Sequence, residues 1–122
     1  MLYAAFTALG IAVLLGSVLA VLHLRQGVAQ PPWPLGASHG LIALAGLGLL
    51  AFALRGPPRG LDQGTGSFGT IAVALIALAA LVGLAQLAAR LRKKRLSGVL
   101  IGIHATLAIG GFVILLVYVL MG

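Results

Sequence analysis

Apolar positions in this chain do not alternate; they come in four long blocks, each closed by charge or by proline and glycine. A helix crossing the hydrocarbon core of a bilayer needs ~20 mainly apolar residues. Four segments meet that length, at about 3–22, 35–54, 68–89 and 98–121. The first stops at His23-Leu24-Arg25. The second follows Pro31-Pro32-Trp33-Pro34 and is ended by Arg55-Gly56-Pro57-Pro58, because proline lacks an amide N–H and its ring clashes with the preceding turn. The third begins after a glycine-rich loop, Gly60 to Gly69, which is expected to be a flexible connector. The pattern predicts an all-α membrane protein: one membrane domain over 1–122, folded as an up-down bundle of four transmembrane helices. The first block has no basic stretch before it and is longer than a signal peptide's apolar core, so it is expected to be a retained helix.

Composition agrees. Hydrophobic residues make up 61% of the 122 and charged residues only 7%, against ~25% in soluble domains. Mean hydropathy is +1.20. The net charge is +7, with Asp62 the single acidic residue against 8 Lys+Arg. The basic residues sit between apolar blocks and not on a soluble face, which points away from nucleic acid and toward anionic lipid. Arg25, Arg90, Arg92, Lys93, Lys94 and Arg95 belong to the first and third loops, and only Arg55 and Arg59 to the second. Lys/Arg bias in short loops sets orientation. The first and third loops are therefore expected in the cytoplasm and both termini outside, in the inner membrane of a bacterium. The run from Arg90 to Arg95 is explained by this topology signal and by lipid phosphate.

The residue inventory narrows the chemistry. Without cysteine there is no covalent haem attachment through CxxCH, no disulfide and no thiol redox centre. Glu and Asn are absent, and Asp62 lies in a loop, so no helix carries the carboxylate that a proton-coupled exporter would need. A serine nucleophile has no supporting acid. Gly64-Thr65-Gly66 lacks the lysine and the strand context of a phosphate loop. Three histidines remain: His23, His39 and His104.

Two of them occupy matching settings. His39-Gly-Leu-Ile-Ala43-Leu-Ala-Gly46 and His104-Ala-Thr-Leu-Ala108-Ile-Gly-Gly111 share H-x3-A-x2-G, and the helices before them end comparably in His23-Leu24-Arg25 and Arg90-Leu91-Arg92. A duplicated helical hairpin would produce this pattern, although Ala, Leu and Gly are abundant enough here for chance matches. At 1.5 Å rise per residue, His39 lies roughly 7 Å and His104 roughly 10 Å inside the same face of the membrane. In an up-down bundle the second and fourth helices face each other diagonally, which is how bundles hold cofactors between facing helices. His39 and His104 are thus candidate axial ligands of one haem b. Spacings of three, four and seven share one helical stripe, so Ala43 and Gly46, with Ala108 and Gly111, are candidates for leaving the macrocycle room. The alternative is that these small residues let membrane helices pack closely. Each histidine would then bond a backbone carbonyl or a hydroxyl, Ser38 and Thr106 being near in sequence. His23 is expected at the membrane interface, satisfied by water and headgroups. With Arg25 and Trp33 it forms a secondary candidate set at the cytoplasmic edge, where haem carboxylates would emerge; Trp33 also fits an interfacial aromatic belt.

Through His39 and His104 with their Ala/Gly neighbours, the chain resembles the four-helix membrane cytochromes b, including the haem-bearing anchors of respiratory dehydrogenases. The resemblance implies an electron carrier, not an enzyme in its own right, exchanging electrons with a quinone or a redox protein, alone, as a homodimer or within a larger membrane complex. Relatives with two haems use four membrane histidines, so three imply one haem at most, and no cluster of polar residues marks a quinone pocket. Two other readings stay open: a cofactor-free structural or assembly subunit of an energy-converting complex, and a pigment-binding subunit in which one histidine holds a magnesium porphyrin.

Overall fold

A computed structural model describes residues 1–25, 32–95 and 97–121 of the chain. It contains four helices, α1 (Leu2–Leu24), α2 (Trp33–Ala53), α3 (Phe68–Leu91) and α4 (Gly98–Met121), with a single 3-10 turn at Leu61–Gln63 and no strand among the described residues. All four are long and apolar enough to cross a membrane. The shortest, α2, has 21 residues, about 31 Å of helix. No helix has a polar face, as expected when the side away from the core meets lipid and not water: Leu14, Leu41 and Leu81 point outward and are each more than half exposed.

The helix ends refine the sequence boundaries. Helix α2 begins at Trp33, one residue before Pro34, because proline is tolerated in a first turn, where its missing N–H would have no helical partner. Pro31, part of the same break in the sequence, lies outside the described residues. Helix α3 runs on through Arg90 and closes with paired bonds, Lys93 N–H to Arg90 O and Lys94 N–H to Ala89 O, with Lys93 in the left-handed region at φ 57°. That is a Schellman closure made without glycine.

The second connection, expected from its glycines to be a flexible connector, forms a defined turn. Gly60 and Gly64 take φ 71° and 73° at either side of the 3-10 turn, a conformation that glycine adopts without steric cost. Thr65 is buried beneath the turn, with its N–H on Gly60 O at 2.9 Å. Arg59 donates to Val119 O at 3.1 Å, placing a cation on the last carbonyls of α4, where the helix dipole favours it.

Helix α1 packs chiefly on α2 and α3 chiefly on α4, and the two hairpins meet through α1 with α4 and α2 with α3. Helices α2 and α4 therefore stand on opposite corners. The core fills only one end of the bundle, near the termini and the α2–α3 turn, where Ala5, Leu9, Leu50, Ala72, Ile76, Leu115 and Tyr118 form one cluster. Phe6 stacks on Phe112 there, with ring centres 5.0 Å apart, and joins the hairpins. From Ala12 and Ala79 toward the α1–α2 and α3–α4 connections, the helices bury only His23 and Ile101. Among the described residues, burial is concentrated at one end of the bundle and sparse at the other.

The hairpins repeat each other in their central contacts. One shift in numbering carries buried Ala5, Leu9 and Ala12 of α1 onto buried Ala72, Ile76 and Ala79 of α3. A second carries Gly46 and Leu50 of α2 onto Gly111 and Leu115 of α4. A Cβ added at Gly46 would lie 2.8 Å from Leu9 Cγ, and one at Gly111 would lie 2.8 Å from Ile76 Cγ1. Each glycine thus admits the matching side chain of its partner helix, the role that small residues play where membrane helices approach closely. The neighbouring Gly110 meets nothing within 4 Å. Gly111→Leu is accordingly expected to cost about 1–3 kcal/mol through overpacking, and Gly110→Leu little or nothing. Thermal unfolding of the two variants in the same detergent compares them; equal losses would contradict the packing described.

Candidate functional site

Directly beyond the packed half, α2 and α4 each present one histidine. His39 and His104 lie six residues into their helices, at a matched depth of about 9 Å from the first residue of each. Both are half-buried, and their ring centres are 5.9 Å apart with the planes at 80°. The diagonal pairing expected from the sequence is therefore a contact between the two hairpins.

Each ring is tied to the partner helix of its own hairpin. His39 Nδ1 lies 2.8 Å from Ala12 O on α1, and His104 Nδ1 lies 2.7 Å from Ala79 O on α3. A carbonyl oxygen only accepts, so Nδ1 is the donor in both rings. In neutral imidazole the lone pair then belongs to Nε2. One helical turn further along, Gly16 and Gly83 make room for the rings: a Cβ at Gly16 would fall 2.9 Å from His39 Cε1, and one at Gly83 would fall 3.1 Å from His104 Cε1. Ala12 and Gly16 map onto Ala79 and Gly83 by the same shift that relates the two cores. Each hairpin thus supplies a matching unit, in which a carbonyl fixes the tautomer, a glycine seats the ring, and the imidazole lies beside its counterpart.

Each ring thus donates from Nδ1 and keeps the Nε2 lone pair as a donor atom that a metal could use. Ligating histidines almost always donate the other ring N–H to a carbonyl or carboxylate, which fixes the tautomer and the ring orientation. Two imidazoles meeting on one metal from opposite sides, with bonds of about 2.0 Å, have ring centres roughly 6 Å apart. The observed separation is close to that. Protein donors stop at two, since no group of three or more His, Cys, Asp or Glu side chains gathers anywhere among the described residues.

The other candidates are placed differently. Gly46 and Gly111, singled out as space for a ring, give that space to Leu9 and Ile76 in the helix seams. Ala43 and Ala108 are half-buried on the same faces. Ser38 and Thr106 bond their own helices, to Pro34 O at 2.7 Å and Gly102 O at 2.8 Å, and do not reach the histidines. His23 is buried at 9% exposure instead of lying open at an interface, because it falls on the inward stripe of α1 that carries Ala5, Leu9, Ala12 and Gly16. Arg25 and Trp33 are exposed, Trp33 at 70%. The sequence reading missed Gly16 and Gly83. Their signal was A-x3-G, present in both odd-numbered helices at one constant shift.

The ring hydrogen bonds generate a direct prediction. With no added ligand and at neutral pH, 15N NMR of the histidines should show His39 and His104 as the Nδ1–H tautomer. Gly16→Leu should displace His39 and abolish its signature, leaving that of His104 unchanged. An Nε2–H tautomer in the parent protein would contradict the site.

No family model, curated protein or solved structure matches this chain.

Proposed function

We propose that this protein is a membrane electron carrier that binds one b-type haem between His39 and His104. The observation that supports it most is the mirrored pair of imidazoles, each with Nδ1 engaged and the Nε2 lone pair left for a metal, at 5.9 Å between ring centres. The haem would supply one-electron exchange at its iron. The protein's part is positional and electrostatic. His39 and His104 would both ligate the iron, which favours electron transfer over oxygen activation. Ala12 and Ala79 raise the basicity of the ligands through their carbonyls.

The charge distribution supports one orientation. Arg25, Arg92, Lys93, Lys94 and Arg95 cluster at the end nearer the histidines, and Arg55, Arg59 and Asp62 lie at the other. The cationic end is the cytoplasmic one by the loop-charge rule, with both termini outside and the haem nearer the cytoplasm, in the inner membrane of a bacterium. A quinone or a redox protein, in a homodimer or a larger membrane complex, would complete the electron path.

A second reading has one observation in its favour: the Nδ1 bonds are complete without any ligand, so the histidines could act as staples between helices in a cofactor-free assembly subunit. Visible spectroscopy separates the two. Protein purified from haem-replete cells should give b-type bands in a reduced-minus-oxidised spectrum. His39→Ala and His104→Ala should each abolish or shift them, and His23→Ala should leave them in place. Spectra unchanged in both ligand variants would refute the assignment. A colourless parent protein that refuses added haem would favour the staple.

A further inference from the structure

Below Gly83 the inward stripe of α3 continues through Gln86 to Arg90, at helical spacings of three and four. Both side chains are half-buried, although this stretch of the bundle buries little else. Gln86 Nε2 is fully enclosed and has no hydrogen-bond partner, a state that costs about 1–3 kcal/mol when left uncompensated. Arg90 reaches across to α2, with a guanidinium nitrogen 3.8 Å from the Cβ position of Gly36, one turn before His39. The α3 stripe therefore runs from the His104 ring to an orphaned amide to a guanidinium that borders the helix of His39. No acidic side chain can answer these donors: the sole carboxylate, Asp62, sits in the turn at the opposite end of the bundle.

We propose that Gln86 and Arg90 bind the acidic edge of the ligand held by the histidines, namely the carboxylates carried on the macrocycle. The inference rests on the haem assignment and adds the orientation of the ring. Gln86 and Arg90 both lie on the connection side of the histidine pair, one and two turns below Gly83, so the carboxylates point toward the cationic end and the opposite edge points toward the packed core. Arg90 also replaces Arg25, the basic residue that sequence position favoured for this role. The side chain of Arg90 lies on an inward stripe, whereas Arg25 caps α1 and is exposed. Under the shift that relates the hairpins, Arg90 corresponds to His23. The two halves, identical at the metal-facing level, thus diverge at the level of the carboxylates, which gives an asymmetric ligand one preferred way round.

The test uses the full-length protein stripped of pigment, titrated in detergent with ferric protoporphyrin IX and, separately, with its dimethyl ester, following the absorbance of the bound form. The parent protein should bind the free acid at least about 10-fold more tightly than the ester, as expected of hydrogen bonds to a charged group. Arg90→Gln and Gln86→Leu should weaken binding of the acid and leave the ester unchanged, and Arg90→Lys should recover part of the difference. Equal affinity of the parent for acid and ester overturns the proposal, and that comparison needs no variant. So does undiminished selectivity in Arg90→Gln, in particular if that variant instead loses affinity for vesicles containing anionic phospholipid, which would assign the guanidinium to a lipid phosphate. Failure of the parent to bind either porphyrin removes the haem assignment and this inference together. Binding of both with equal strength removes this inference alone.

Discussion

Everything at the centre of this molecule turns on two hydrogen bonds, from His39 Nδ1 to Ala12 O and from His104 Nδ1 to Ala79 O. In hydrocarbon an imidazole without a partner is costly, and a helix offers few acceptors because its carbonyls already serve its own amides. Each histidine solves this by taking a second lone pair on a carbonyl of the adjacent helix, where a glycine one turn away removes the side chain that would block it. The bond fixes which nitrogen carries the proton, and so leaves the lone pair of each neutral ring on Nε2. Both histidines do this, and their rings meet.

The repeat explains why a chain this short can build such a site. A single hairpin presents one imidazole and one half of a cleft. Two copies running in the same direction bring the imidazoles to one level from opposite corners, while Leu9 in Gly46 and Ile76 in Gly111 hold each copy together by the same fit. Packing and chemistry divide the bundle lengthwise. The end with Leu50, Leu115, Tyr118 and the Phe6–Phe112 stack supplies cohesion. The other end, where burial is sparse, carries the histidines, Gln86 and Arg90.

Much of the fold was legible in the sequence. Four apolar blocks bounded by charge and proline give four helices with boundaries close to those observed, because helix length is dictated by the membrane and charge marks the exits. The pairing of His39 with His104 was legible too, from depth and direction alone. Other features were not. Gly46 and Gly16 look alike in a string of letters, yet one admits a leucine and the other seats an imidazole, and only the relative rotation of the helices decides between them. The burial of His23 follows from its place on the stripe of Ala5, Leu9, Ala12 and Gly16 in a helix that runs further than its charged end suggests. The glycine-rich second connection reads as slack, but Gly60 and Gly64 supply left-handed corners for a tight turn that anchors Arg59 on α4.

The central claim is that two Nε2 lone pairs, one from each hairpin, converge on a single metal. Pulsed electron paramagnetic resonance of the oxidised, haem-loaded protein, with its histidines labelled with 15N, addresses that convergence directly. A low-spin ferric centre coupled to two histidine nitrogens of similar strength, with one such centre per chain, is the predicted result. Coupling to one histidine nitrogen, or to none, would contradict it.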